Sequence, residues 1–367
     1  MNPAESFSSD YREARSKFRA AAELAGARLD HFVHPERGPD GQELFTDVAW
    51  LGPSSAQKVL VTISGTHGVE GFCGSGAQVQ FLRSFSPSTL PTGVAVLMIH
   101  AINPYGFAWL RRVTHENVDL NRNWLDFSKP LVQNSGYNEL HANLCPPIWS
   151  TKSVAEGVMA IAAYGAREGA AAQLIATSGG QYSHPSGVMY GGVEPTWSRL
   201  TQTTIFERYL GGASQIAIVD YHTGLGPWGH GEQIVTASID SPEYMRAKAW
   251  FGCAVTSTTN GSSSSSVIAG DGLSAATRLL SHAEVTVIAL EFGTLAMDQV
   301  LLAICADCWL HRYGDPSSQI GQDIKQQIRT AFYGDTDEWK GMVLGQSNLA
   351  CRQAISGLLS HSIAMPD

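Results

Sequence analysis

Short apolar runs alternate with amphipathic stretches along this chain. Residues 58–64 (KVLVTIS), 93–100 (GVAVLMIH), 215–221 (QIAIVDY) and 285–292 (VTVIALEF) are almost continuously apolar, the pattern of strands buried on both faces. Residues 44–51 (LFTDVAWL) predict a further strand, closed by a turn at Gly52, Pro53 and Ser54. Tyr11, Phe18, Ala21 and Leu24 recur at helical spacing and predict a helix over 9–26, with Ser8 and Ser9 as caps. Further helices are predicted over 72–85, 153–177, 196–209, 241–254, 295–312, 317–333 and 336–361. Residues 105–150 show little periodicity and read as a long irregular excursion, which in a compact protein usually signals function. The Ser/Thr/Gly run 256–266 reads as a mobile surface loop.

Strands alternating with helices predict a three-layer α/β sandwich, with a mixed, mostly parallel central sheet flanked by helices. No repeat and no linker interrupts the pattern. Residues 1–367 are therefore expected to form a single domain, with helical N-terminal (1–40) and C-terminal (295–367) parts.

Composition narrows the function. The 367 residues are 44% hydrophobic, enough for a large core. Asp and Glu number 33 against 24 Lys and Arg, a net charge of −9 with no basic stripe, so nucleic acid is not an expected partner. No apolar run reaches membrane-spanning length, and the first 25 residues lack the apolar core of a signal peptide. The expectation is a soluble cytoplasmic protein without membrane partners. Of six cysteines, only Cys305 and Cys308 are close, in an apolar helical stretch, and they read as core packing rather than a metal or redox pair.

Chemistry gathers where the apolar strands end. Strand 58–64 runs into His67-Gly68-Val69-Glu70, an imidazole and a carboxylate three positions apart beside flexible glycines. A catalytic zinc takes three N or O protein ligands and keeps one position open, and these supply two. Alone, H-x-x-E is a common chance pair. Strand 215–221 leads into His222, after Asp220 and before Gly224 and Gly226; His222 could be the third ligand or a solvated residue. Strand 285–292 ends in Glu291, costly to bury unless paired. It reads either as a salt-bridge partner or as a general base whose apolar walls raise its pKa. Residues 111–123 cluster Arg111, Arg112, Asp119, Asn121 and Arg122; Asn with Arg suits carboxylate capture, and a solvated loop is the alternative.

The order HxxE, NPxGF (103–107), R…DLNRN (112–123), DxH (220–222) and a strand ending in Glu291 resembles the zinc metallocarboxypeptidases of the carboxypeptidase A type. More closely, it is similar to a bacterial, non-secreted, poorly characterised branch of them. The match covers most of residues 58–293. The resemblance implies one Zn²⁺ per chain, held by His67, Glu70 and His222, with Asp119 orienting His67 and Asp220 preceding His222. It implies that Asn121 and Arg122 bind a substrate carboxylate and that Arg112 polarises the scissile carbonyl, with Arg111 as its rival. Glu291 would take a proton from water activated at the metal.

The resemblance thus implies hydrolysis of an amide next to a free carboxylate, in a small peptide or an N-acyl amino acid. An aspartoacylase- or desuccinylase-like deacylase shares the same constellation. A metal-binding, non-catalytic protein is the alternative of another class, and a homo-oligomer is left open. One departure stands out. The family's mobile Tyr has no counterpart, since no Tyr lies between Tyr244 and Tyr313, and Ala269-Gly270-Asp271-Gly272-Leu273 occupies its place. Substrate closure must therefore differ. Trp109, Trp124, Tyr190 and Trp228 could wall a pocket or pack in the core, and His100 and His230 are equally open.

Overall fold

The computed structural model describes residues 3–86 and 90–360. Its first half runs α1 (Tyr11–Leu24), β1 (Arg28–Arg37), β2 (Glu43–Leu51), β3 (Lys58–Ile63), α2 (Gly71–Ser84), β4 (Val94–His100), α3 (Pro104–Ala108), α4 (Ser135–Leu144), α5 (Thr151–Glu168) and α6 (Ala170–Ser178). There follow α7 (Trp197–Leu210), β5 (Gln215–Trp228), β6 (Gly231–Val235), α8 (Pro242–Phe251), β7 (Val255–Ser257), α9 (Gly272–Leu279) and β8 (Glu284–Gly293). The chain closes with α10 (Met297–Tyr313), α11 (Gln319–Phe332) and α12 (Asp337–Leu359). The predicted helix 336–361 thus ends at Leu359, and residue 361 lies outside the described residues.

One eight-stranded sheet has the order β1-β2-β4-β3-β5-β8-β6-β7. The central strands β4, β3, β5 and β8 are mutually parallel; β1, β2 and β6 join antiparallel to their inner neighbours, and β7 lies parallel to β6. Alternation along the strands divides two cores. Leu60, Val96, Ala217 and Ile288 face α1, α2, α8 and α12, where Phe18, Phe72 and Trp339 fill the layer. Val59, Val61, Leu97, Ile218 and Val287 face the other way, against Phe206 and Leu210 of α7 and Leu273 of α9. This is the expected three-layer sandwich. A third core joins α4, α6, α10 and α11 around Val69, beyond the end of β3.

Several boundaries differ from expectation for physical reasons. The N-terminal 1–40 region is not wholly helical: 28–37 forms edge strand β1, whose charged residues mask any alternation because only His34 is fully buried. The 153–177 stretch is two helices, broken at Gly169, whose φ of +92° ends α5 and starts α6. Strand β5 does not stop before His222. It pairs regularly through Thr223, which puts His222 in register with Glu291, and reaches Trp228 after a register shift. The 256–266 run is not a free loop either, because Val255–Ser257 is a strand and the buried Glu232 of β6 accepts from the Ser264 amide at 3.1 Å and from Thr256 Oγ1 at 2.6 Å. Among the described residues, no helix is long and apolar enough to cross a membrane.

Candidate metal centre

The site lies where β3, β5 and β8, side by side at the sheet centre, reach their carboxyl ends. After β3 the chain turns into the segment bearing His67 and Glu70. The amides of Gly68 and Val69 donate to the carbonyls of Arg112 and Arg111 at 3.1 and 2.8 Å. This docking needs Gly68, since a Cβ there would lie 2.0 Å from the Gly106 backbone. Arg112 is thereby fastened beside the two ligand candidates.

His67, Glu70 and His222 converge. All three are buried, and one ligand atom from each lies within 4.8 Å of the others. Glu70 sits between the rings, Oε1 2.9 Å from His67 Nδ1 and Oε2 3.1 Å from His222 Nδ1. The two Nδ1 atoms are 3.3 Å apart. Tetrahedral zinc, with Zn–N of about 2.0–2.1 Å, separates its ligand atoms by about 3.3–3.4 Å, so the donor set fits. The Thr223 amide also donates to Glu70 Oε2 at 3.0 Å, fixing that carboxylate.

Each imidazole is backed by a carboxylate. His67 Nε2 lies 3.2 Å from Asp119 Oδ1, and His222 Nε2 lies 3.0 Å from Asp220 Oδ2. The second contact is off-line for a hydrogen bond and leaves His222 Nε2 without one, so it acts through charge. Asp220 is held in place by Thr66 Oγ1 at 2.8 Å. Arg112 Nη2 is also 2.9 Å from His67 Nε2. That nitrogen can donate to Asp119 or accept from Arg112, not both; a metal at Nδ1 leaves the proton on Nε2 and selects Asp119.

The charges are strongly coupled. Burial alone would raise the Glu70 carboxyl, but His67, His222 and Arg112 outweigh it and hold it below the usual carboxylate range. Asp119 is likewise buried, yet Arg112, Arg122 and His67 keep it well below that range. Burial works against the His222 cation, and Asp220 and Glu70 overcome it, so its pKa is raised. Glu291 goes the opposite way. Burial, followed by the negative Glu70, pushes it up to about 8, although His222 and Arg112 pull downward. The Leu225 amide donates to its Oε1 at 3.1 Å.

The 119–123 segment is ordered by its own side chains. Asp119 Oδ1 accepts from the Asn121 amide at 3.0 Å, making a tight turn. Asn123 Nδ2 donates to the carbonyls of Gly191 and Glu194 at 2.8 and 2.9 Å, satisfying a loop that has no sheet partner. Asn121 Oδ1 accepts from the Gly272 amide at 2.7 Å. Arg122 donates to the carbonyls of Asn121 and Ser178, while its Nε is buried without a partner. The 269–272 segment is pinned by hydrogen bonds. Trp124 N donates to Gly270 O at 3.1 Å, and Tyr182 OH lies 2.7 Å from Arg122 O and 3.2 Å from Ala269 O. Gly270 has a φ of +74°, and a Cβ would lie 2.4 Å from Arg122 O.

One cavity of about 620 Å³ is lined by His67, His222, Arg112, Asn121, Arg122 and Glu291. Arg111 is not brought to it. Its guanidinium turns to the buried Asp307, with Nε 3.1 Å from Oδ2, and to Asn117 Oδ1 at 3.0 Å. That corrects the expectation of Arg111 as a substrate-binding group: Arg111 does not line the cavity, and its guanidinium is engaged by the buried Asp307 and the half-buried Asn117. His100 is a core residue, stacked on Phe18 and bonded to Ser75. None of Trp109, Trp124, Tyr190, Trp228 and His230 lines the cavity among the described residues. Trp149, Ser264 to Ser266 and Phe332 do, and residue patterns gave no sign of them except that Ser264 to Ser266 lie in a biased run.

The fold is carboxypeptidase-like, and the His67, Glu70 and His222 group is consistent with a single metal site. Bovine thrombin-activatable fibrinolysis inhibitor, solved in complex with tick carboxypeptidase inhibitor, is similar over 96% of this chain and 97% of its own at 10% identity, with a TM-score of 0.52. Carboxypeptidase A from Helicoverpa armigera is similar over 88% and 73% at 12% identity and a TM-score of 0.45. An aspartoacylase family protein from Mesorhizobium loti is similar over 77% and 66% at 13% identity and a TM-score of 0.35. No curated protein matches the chain. The chain belongs to the DUF2817 family, described as a protein of unknown function, whose profile matches residues 7–346.

Proposed function

We propose that this protein is a zinc-dependent hydrolase that cleaves an amide bond next to a free carboxylate, in an N-acyl amino acid or a small peptide. The observation that carries the reading is the single cavity shared by the His67/His222 pair, Glu291, Arg112 and the Asn121–Arg122 pair. Mere metal storage needs neither Glu291 nor Arg112.

His67, Glu70 and His222 would hold zinc, which would supply a Lewis acid for the carbonyl and a lowered pKa for water. The protein's own groups do the rest. Arg122, with a buried Nε lacking a partner, and Asn121 anchor the substrate carboxylate and so fix the amide over the centre. Arg112, kept cationic by Asp119 and Glu70 despite its burial, donates to the carbonyl oxygen as negative charge builds there. Glu291, a carboxyl of raised pKa, takes a proton from the attacking water and returns it to the leaving amine. The pinned 269–272 segment does not have to close over the substrate.

The test is hydrolysis of a panel of N-acyl amino acids and dipeptides by purified protein, with and without a chelator. Turnover that stops on chelation and returns with zinc is expected. No cleavage of any carboxylate-bearing amide by the zinc-loaded protein overturns the reading.

A further inference from the structure

The cavity has two unlike parts. Near Asn121 its wall mixes Thr236, Thr258, Ser264 to Ser266 and Asp271 with Ile234, Ile268 and Leu273. It also extends between α5 and α10, with α6 beside it, where the lining is mainly apolar apart from groups such as Ser153, Gln173 and Thr177. Among its described lining residues there, only Asp298 is charged, and it is exposed at the first turn of α10.

Two helices face this apolar part with matching stripes. From α10 come Met297, Val300, Leu301 and Ile304, at i, i+3, i+4 and i+7. From α5 come Val154, Val158 and Ile161, again one turn apart. A stripe of this kind normally packs against a core. Here α5, an 18-residue helix, buries only Gly157 fully, and Val158 remains 58% exposed. Ile161 packs against the third core, as Leu301 of α10 does, while Val158 stays open, so α5 turns only the first part of its apolar stripe to the opening.

The apolar part is continuous with the reaction centre. Val300 approaches Gly224, two residues after the ligand His222: a Cβ on Gly224 would be 3.6 Å from Val300 Cγ1 and 2.9 Å from the Phe332 ring. Arg112 lies over the same Phe332 ring, 5.9 Å from its centroid. The anchor pair bridges the two parts: Asn121 bonds Gly272 on one side and Arg122 bonds Ser178 at the end of α6 on the other. With the substrate carbonyl at Arg112, over Phe332, the acyl group is directed past Val300 between α10 and α5.

We propose that the apolar lobe between α5 and α10 binds the acyl chain, so that the preferred substrates are N-acyl amino acids with medium or long alkyl chains. This rests on the hydrolase reading above, but the lobe can be tested without turnover. Burying one methylene strengthens binding about 3- to 4-fold when water is fully excluded, so an open lobe gives about 2- to 4-fold per methylene.

The experiment is calorimetric titration of the zinc-loaded Glu291→Gln protein with N-acetyl-, N-hexanoyl-, N-octanoyl- and N-decanoylglycine. The same series is run on that protein carrying Val154→Trp on α5 or Leu301→Trp on α10, two partly exposed sites, with Tm as the folding control. Affinity that climbs with chain length, and that flattens in both Trp variants at unchanged Tm, is the expected result. Affinity independent of chain length overturns the proposal, as does a climb unaffected in both folded Trp variants. A chain-length climb with no hydrolysis of these compounds by the wild-type protein keeps the lobe and sinks the hydrolase reading, so the two failures are distinguishable.

Discussion

Arg112 donates from Nη1 to Glu70 Oε1 at 2.9 Å, so the group proposed to polarise the substrate carbonyl touches a metal ligand directly. Its Nε also donates to Asp119 Oδ2 at 3.0 Å. Both contacts place a permanent cation beside a centre meant for a second cation. Arg112 would repel a metal while it holds Glu70, a candidate ligand, and Asp119, the carboxylate behind His67.

The first prediction follows from that balance. Arg112→Ala should retain stoichiometric zinc, because a repelling charge is removed, yet lose about 10²–10³ in kcat, the usual loss for an oxyanion donor. Elemental analysis beside steady-state kinetics checks it. A variant that loses zinc but turns over normally when zinc is added in excess would reassign Arg112 to metal holding.

Glu291→Gln should bind zinc as the parent does and lose about 10²–10⁴ in turnover, the range for a positioned proton carrier. Its buried position, paired in register with His222, supports this. Undiminished turnover in the zinc-loaded variant would remove Glu291 from the chemistry.

Metal removal should make stability pH-dependent. Glu291 is raised from 4.5 to about 8 in the fold, by burial first and by Glu70 second. Between those values the folded chain keeps a proton that the unfolded chain has lost. Below about 6.5 the buried neutral His34, His100 and His311 act in the opposite sense, so the fall in stability of the metal-free protein should show as pH rises from about 7 to 8. Added zinc, a nearby positive charge, lowers the Glu291 pKa and should flatten that slope. Calorimetric Tm at pH 7 and pH 8, with chelator or with zinc, tests this; a chelated protein more stable at pH 8 contradicts it.

Asp220→Asn should weaken zinc binding about 10- to 100-fold, the usual cost of losing a carboxylate behind a metal-bound imidazole. Asp220 is held by Thr66 on one side and faces His222 on the other, so Asn fills the same space without the charge. Competition against a chelating dye gives the affinity. An unchanged value would mean that the off-line Asp220–His222 contact carries no weight.

Arg122→Ala should raise KM for carboxylate substrates at least tenfold and leave that for the matching carboxamides nearly unchanged. It should also lower Tm, because Arg122 braces the Asn121 and Ser178 carbonyls. Arg122→Lys should recover Tm better than KM, since an ammonium lacks the fork that binds a carboxylate bidentately. Equal KM changes for both substrate sets would contradict the anchor role.

The sheet and the candidate ligands were legible because their signals are local. Strands such as 58–64 and 285–292 are almost continuously apolar, since burial on both faces permits little else. His67, Glu70, His222 and Glu291 stand out as polar residues at the ends of such runs. Edge strand β1 was not legible, because solvent accepts charged residues on most of its length. The extension of β5 past His222 was hidden by glycines that read as a loop but lie at the register shift.

The sequence by itself determined the layered α/β architecture and the residue types that can hold a metal, because periodicity and strand-end chemistry are properties of short segments. Only the tertiary structure shows that Arg112 lines the cavity and Arg111 does not, since distant Asp307 engages one guanidinium and Glu70 and Asp119 the other. It also decided that α5 and α10 line one apolar lobe, because which helices face each other across a cavity depends on packing between segments far apart in the chain.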